Sequence, residues 1–357
     1  MIAIVLITAL IALIFSFTNG MNDAANCIAS VVATKSLSPK MAVYWAAFWI
    51  FVAQFMFPAT VAATMGKGIV SEQCIDVYVI LAALLGSVLW IFICTRIGLP
   101  ISASHALIGG LIGPVWFVYG GEYLVTSGIC KVLAFIVISP LLGMFMGFFL
   151  NCLFMAIFRK GHAKKIDKGF RTAQLFSSAA FSIGFGGNDG QKTMGVIAIL
   201  FASACAANPD NGFMNFIYGN GAARALESGV SFYIPLWLSL TCYGLISLGA
   251  IIGGWKVIRT LGEGLSKLYP AQGFCAETSG AITLILTAFL GIPVSTTHTI
   301  TGSIIGTGLT RGFKSVKWMT AKNIVWAWVL TIPAVIVVSG VIYLIMVNWF
   351  GCPVKVL

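Results

Sequence analysis

Two short stretches place carboxylate and amide oxygens where the surrounding sequence is apolar. Gly20-Met21-Asn22-Asp23-Ala24-Ala25-Asn26 follows an apolar run from Ile2 to Phe17, and Gly186-Gly187-Asn188-Asp189-Gly190-Gln191-Lys192 lies inside apolar sequence from Ala173 to Ala207. An ionisable side chain at the centre of a bilayer costs about 2.5 to 3.5 kcal/mol on insertion scales, so it usually faces a cavity and serves a purpose. Asn22, Asp23, Asn26, Asn188 and Asp189 offer hard oxygen ligands suited to Na⁺, or carboxylates able to take up H⁺. A carboxylate hydrogen-bonded to backbone N–H groups at a helix break is the plainer alternative. Lys192 stands three residues after Asp189, on the same helical face, where it can pair with that aspartate or contact an anion; Gln191 beside it is a supporting candidate.

A second pair of stretches carries hydroxyls. Pro100-Ile101-Ser102-Ala103-Ser104-His105, followed by Gly109 and Gly113, matches Pro293-Val294-Ser295-Thr296-Thr297-His298, followed by Gly302 and Gly306. In both, the hydroxyl residues precede a helical pattern, where side-chain oxygens cap and the first N–H groups have no intrahelical acceptor. The positive end of such a half-helix, with Ser102 and Ser104 in one copy and Ser295, Thr296 and Thr297 in the other, can replace the hydration shell of an oxyanion. His105 and His298 each follow a serine by three residues, a spacing that also admits an intramembrane serine hydrolase. No acidic orienter stands near them, and a single active site does not need the pair twice. Glu277, at the start of an apolar run, is a further cation-ligand candidate or an acid answering a helix dipole, with Glu72 as its counterpart in the first half.

The elements that position these residues are membrane helices. Of 357 residues, 59% are hydrophobic and only 9% charged, too few charges to wet a globular surface of this size. Unbroken apolar runs, rather than alternating ten-residue strands, exclude a barrel and indicate an all-α polytopic membrane protein. The net charge of +11 comes from basic residues in the gaps between apolar runs, which suits cytoplasmic loops and gives no nucleic-acid surface. The nine cysteines are scattered without ligand spacing and read as small buried residues, so no cofactor is expected.

Apolar segments fall at 1–18, 41–65, 75–95, 128–158, 173–207, 229–255, 265–290 and 323–350. The stretches after Asn22, from Pro100 to Tyr119 and from Pro293 to Leu309 are short and broken by Gly, Pro, Ser or Thr, as re-entrant hairpins are. The basic cluster Arg159, Lys160, Lys164, Lys165, Lys168 and Arg171 divides the chain. It makes residues 159–172 a cytoplasmic loop between a first repeat, 1–158, and a second, 173–357, whose extra length sits in a polar insertion at 208–227. With Ile2–Thr34 as a hairpin returning to its own side, three crossings reach the basic loop and both termini lie outside the cell membrane. Lys35, Lys40, Lys256 and Arg259 would then also lie outside, against the usual charge bias. An odd number of crossings per half makes the two copies inverted, a transporter architecture.

Together, Gly20–Cys27, Pro100–Gly113, Gly186–Gly195, Gly253–Ile258, Ala276–Gly280 and Pro293–Gly306 resemble, over nearly the whole chain and in the same order, the inorganic phosphate transporter (PiT) family, with its duplicated Gly-Ala-Asn-Asp-Val-Ala-Asn-Ala-like motif. The resemblance implies inverted repeats with re-entrant helical hairpins, a homodimer in the lipid bilayer, and cation-coupled uptake of inorganic phosphate, with Na⁺ or in some members H⁺. It makes Asn22, Asp23, Asn188 and Asp189 cation-site residues and Ser102, Ser104, Ser295, Thr296 and Thr297 phosphate contacts. Sulfate, carried by some relatives, is the rival substrate. Met21 and Cys27 depart from the motif. Phe185 replaces a histidine common before the second motif, which favours Na⁺ over H⁺, and the short central loop has a prokaryotic form.

Overall fold

The computed structural model describes residues 2–59, 61–62, 68–207, 212, 217–218, 234–292, 294–350 and 352. The described residues form helices α1 (Ile2–Asp23), α2 (Ala25–Ala33), α3 (Pro39–Val52), α4 (Val77–Ile97), α5 (Ala103–Val118), α6 (Thr126–Ile157), α7 (Ala163–Phe185), α8 (Gln191–Ala207), α9 (Leu236–Ile252), α10 (Trp255–Gly262), α11 (Pro270–Phe289), α12 (Thr296–Leu309) and α13 (Trp318–Phe350). Apart from two isolated bridges there is no strand pairing among them. Among the described residues four helical spans, the first made of α1 with α2, are long and apolar enough to cross a membrane, and the bent pair α9–α10 would add a fifth. The polar insertion expected at 208–227 lies, but for residues 212, 217 and 218, outside the described residues.

Three expectations change. The stretch after Asn22 does not turn back, because Ile2–Ala33 forms one span of 32 residues interrupted only at Ala24. Ala24 keeps right-handed helical backbone angles (φ −65°, ψ −16°), so the chain continues in its direction instead of turning. The segment expected to run on to residue 65 is interrupted after Phe55 and is helical again at residues 61 and 62. The basic stretch expected as a loop over 159–172 is helical from Ala163, so Lys164, Lys165, Lys168 and Arg171 ride on the opening turns of α7. Arg171 donates from Nη1 to the carbonyls of Thr34 (2.7 Å) and Lys35 (2.9 Å), which brings the end of α2 to the same face of the molecule as the basic stretch. Lys35 therefore lies with the basic cluster, not across the molecule from it. The α10 helix runs alongside α2, with a Cβ at Gly262 meeting the Ala29 carbonyl, and its last turn carries Arg259 toward that face, while Lys256 in its first turn packs against Gly98.

Two helical hairpins organise the centre. The entry to α4 and the exit from α5 are stitched together by the Val70–Leu124 bridge, by Ser71 N–H to the Tyr123 carbonyl (2.9 Å) and by Val125 N–H to the Ile69 carbonyl (2.9 Å). The entry to α11 and the exit from α12 are stitched by the Ser266–Val316 bridge and Lys317 N–H to the Leu265 carbonyl (2.8 Å). Each hairpin then packs its second helix on the long helix that follows the other hairpin. α12 lies on α6, where Cβ atoms at Gly302 and Gly306 would strike the carbonyls of Pro140 and Met144; α5 lies on α13, where one at Gly109 would strike Ile332. Lipid tails are as apolar as leucine, so such close backbone approach through small residues is what holds membrane helices together.

These contacts fix direction. Residue numbers rise together along α6 and α12, from the Gly143–Thr299 approach to the bond from Asn151 Nδ2 to Thr310 Oγ1 (2.6 Å), so the two helices run parallel. Because α6 leaves the stitch at which α5 arrives, α12 and α5 run opposite ways. Their N-termini meet in the interior, and their C-termini diverge toward opposite faces.

Candidate substrate and cation site

The meeting point is built from caps. Ser102 Oγ accepts from His105 N–H (3.4 Å) at the start of α5, and Ser295 Oγ accepts from His298 N–H (3.3 Å) at the start of α12. The His105 and His298 rings approach edge-on at 4.7 Å between centroids, and Trp328 of α13 covers the His298 ring at 3.8 Å. Trp328 Nε1 also donates to the Pro100 carbonyl (3.1 Å), tying the long helix of one half to the hairpin tip of the other. All these groups are buried. Since each serine oxygen is engaged by the backbone of the histidine residue, the Ser–His spacing makes a helix cap and not a nucleophile–base pair.

The two Asn-Asp stretches reach this point from breaks in their helices. Asp23 ends α1 next to the interruption at Ala24, and Asn188 and Asp189 sit in a π-helical turn, Gly186–Gly190, between α7 and α8. Such a turn adds a residue to the helical repeat and commonly occurs at functional sites. Glycine permits the packing around it: a Cβ at Gly190 would meet the Tyr243 ring, and one at Gly20 the Ile246 backbone.

Hydrogen bonds join the motifs crosswise. Thr297 Oγ1 lies 3.2 Å from Asp23 Oδ1 and 3.0 Å from the Ile101 carbonyl, and it accepts from Asn26 Nδ2 at 2.9 Å. Ala103 N–H, in the first turn of α5, donates to Asp23 Oδ2 (3.4 Å). In the second half Thr296 Oγ1 donates to Asp189 Oδ2 (3.2 Å), and Lys192 Nζ donates to Asp189 Oδ1, Ser104 Oγ and the Val294 carbonyl. The pairing expected between Lys192 and Asp189 is present as a fully buried ion pair.

The asparagines leave oxygen free. Asn22 Nδ2 donates to Thr95 Oγ1 (2.8 Å) and the Leu99 carbonyl (3.5 Å), and Asn188 Nδ2 donates to the carbonyls of Gly184 (3.0 Å) and Leu284 (2.8 Å). Because carbonyls accept only, these bonds fix which end of each amide is nitrogen. The Oδ1 atoms of Asn22, Asn26 and Asn188 are buried without a hydrogen-bond partner. A buried acceptor left unmade costs about 1 to 3 kcal/mol, and an amide oxygen of this kind has the chemistry to ligate a cation.

Three candidates lie elsewhere. Gln191 spends its side chain on the segment after α3, accepting from Val61 N–H (2.9 Å) and Ala62 N–H (3.2 Å) and donating to the Pro58 carbonyl (2.9 Å). Glu277 lies in the interior of α11, fully buried, not at a helix start; its carboxylate accepts from Ser30 Oγ, Gln174 Nε2 (3.1 Å) and Ser177 Oγ (2.6 Å). These bonds link α2, α7 and α11 without reaching Asp23 or Asp189. Glu72 opens the short 3₁₀ turn Glu72–Cys74 before α4, and its side chain lies outside the described residues. Sequence spacing gave no sign of Thr95, Trp328, Gln174 or Ser177, whose hydrogen-bond partners Asn22, Pro100 and Glu277 stand more than seventy residues away.

The model of a phosphate transporter family matches residues 19–168 and again 155–339, one match for each Asn-Asp stretch with its Ser–His helix. The chain belongs to the phosphate transporter family. It is 43% identical to a protein of Rhizobium meliloti (strain 1021) named "Probable low-affinity inorganic phosphate transporter", over 93% of both chains. A protein of the same name from Bacillus subtilis (strain 168) is 34% identical, over 97% of this chain and 98% of that one. The fold also matches a solved structure titled "The sodium-dependent phosphate transporter", with a TM-score of 0.82 and 25% identity over 96% of this chain and 99% of the other. This phosphate transporter is thus an integral membrane protein and not an enzyme, which removes the hydrolase reading that the capped serines already weakened.

Proposed function

We propose that this chain is a secondary transporter that imports inorganic phosphate together with Na⁺ by alternating access. The observation that carries the reading is the crosswise joining of the motifs: Thr297 of α12 on Asp23 of α1, and Lys192 of α8 on Ser104 of α5. Two helix N-termini supply positive potential and N–H donors for an oxyanion, and carboxylate and amide oxygens beside them supply a cation site. The anion and cation then each improve the site for the other. Unpartnered amide oxygens favour Na⁺ over H⁺, because a neutral amide can ligate a metal cation but does not hold a proton at neutral pH. Phosphate can itself donate a proton to an ionised aspartate, which sulfate at neutral pH cannot do.

In this reading the halves are inverted copies, supported by the opposite courses of α5 and α12. Movement of the two hairpins against the long helices would open the site to one face and then the other. The face holding Arg171, Lys35 and the basic stretch is cytoplasmic, with both termini on the other side. The test is uptake of labelled phosphate into proteoliposomes under an imposed Na⁺ gradient, a pH gradient or neither, with excess sulfate as competitor. Accumulation driven by Na⁺ and insensitive to sulfate is expected. Uptake driven only by the pH gradient would reassign the aspartates to proton transfer, and abolition by sulfate would overturn the substrate.

A further inference from the structure

Lys192 occupies, in the second half, the position that Asn26 holds in the first: each is the third residue after the motif aspartate. The surroundings correspond as well. Aligning the Ser–His stretches pairs Ile101 with Val294 and Ser104 with Thr297. Lys192 Nζ is held by Asp189 Oδ1, Ser104 Oγ and the Val294 carbonyl; the corresponding oxygens around the first aspartate are those of Asp23, Thr297 and Ile101, joined to one another through Thr297 Oγ1. No lysine reaches that first set among the described bonds, and Asn26 adds a buried Oδ1 with no partner. Two equivalent oxygen cages therefore differ in one respect: one already contains a cation on a side chain.

Resting on the sodium-coupled reading above, we propose that Lys192 is a tethered cation that permanently fills the second cage, leaving the cage of Asp23, Asn26, Thr297 and the Ile101 carbonyl as the one of this pair open to a mobile Na⁺. An ammonium group can replace Na⁺ here because it satisfies oxygens alone, as a donor of three hydrogen bonds. A lysine carried on α8 stays with the protein through the transport cycle, so it assists anion binding without adding to the ions moved. The sequence halves then serve different ends. The first supplies the coupling ion, and the second supplies fixed positive charge to a buried site that otherwise holds two carboxylates.

The experiment is equilibrium binding of inorganic phosphate to the full-length protein in nanodiscs across a range of NaCl, with choline chloride holding ionic strength constant. Wild type is compared with Lys192→Asn, which gives the second cage the residue of the first, with Lys192→Met, and with the reciprocal Asn26→Lys. In Lys192→Asn the slope of log Kd against log [Na⁺] should be steeper than wild type by about one unit, with weak binding at low Na⁺ restored at high Na⁺. Lys192→Met, which fills the cage without charge, should bind phosphate more weakly at every Na⁺ concentration and keep the wild-type slope. Asn26→Lys should lose about one unit of slope, and the double exchange should regain the wild-type value. An unchanged slope in folded Lys192→Asn, or failure of high Na⁺ to restore its binding, overturns the assignment. Should that variant not fold, Asn26→Lys decides alone: a slope equal to wild type refutes the proposal. A wild type indifferent to Na⁺ would instead refute sodium coupling, while the difference between variant and wild type still reads the lysine.

Discussion

Replacing Thr297 by valine keeps the side chain's volume and removes one hydroxyl from the place where both halves meet. That oxygen serves three partners: it accepts from Asn26 Nδ2 at 2.9 Å and has Asp23 Oδ1 at 3.2 Å and the Ile101 carbonyl at 3.0 Å. Since a hydroxyl carries one hydrogen, it donates to one of the latter two at a time. Valine would strip Asp23 of a hydrogen bond to a charged group, worth about 1.5 to 3 kcal/mol, and leave the Asn26 amide as an unpaired buried donor. At about 1.4 kcal/mol per tenfold, the carboxylate loss alone converts to a rise of about 10- to 100-fold in the Na⁺ concentration that half-activates phosphate uptake. Thr297→Ser retains the oxygen and loses only a methyl, so it should remain within about a factor of five of wild type. The assay is initial-rate uptake of labelled phosphate into proteoliposomes at varied external Na⁺, with the protein checked as monodisperse after reconstitution. Wild-type activation in Thr297→Val, or equal damage in the serine and valine variants, would refute the argument that this oxygen, rather than the shape of the side chain, serves the site.

Further consequences follow from the same geometry. Asp23→Asn should abolish Na⁺-driven phosphate accumulation with the thermal unfolding midpoint lowered by only a few degrees; cation-dependent uptake at the wild-type rate would remove Asp23 from the cation site. Glu277→Ala should destabilise the protein by about 3 kcal/mol or more, because the donors of Ser30, Gln174 and Ser177 lose a common acceptor, whereas Glu277→Gln, which keeps one oxygen, should cost about half as much in denaturant titrations. Gly302→Ala drives a methyl into the Pro140 carbonyl, a backbone atom that cannot rotate away, so separation of α6 from α12 should cost about 1 to 3 kcal/mol, seen as a lowered unfolding midpoint. Ser102→Ala removes a cap worth about 1 kcal/mol, and a serine-reactive probe should label neither Ser102 nor Ser295 in the wild type.

The sequence alone determined the class of the molecule and the residue types at its centre. Carboxylates and asparagines set into apolar runs had to be buried among partners, and because the motifs occur twice, their duplication was legible without any structure. So were the caps, since Ser102 and Ser295 act within one helical turn of themselves. Direction and pairing were not legible. Whether the chain turns back after Asn22 depends on what the next helix packs against, and the single span Ile2–Ala33 emerged only with α10 laid along α2 and Arg171 closing its end. The tertiary structure also separated residues that spacing had grouped. Gln191 adjoins Lys192 in the chain, yet one helical position turns it toward the carbonyl of Pro58 while Lys192 faces Ser104. Glu277 looked like a helix-start acid and proved to be the shared acceptor of three donors from two other helices. Local chemistry is written in residue type and short spacing, because caps and breaks are made by neighbours. Which oxygens meet is decided by packing, because the groups around Asp23 and Asp189 come from helices that the sequence holds far apart.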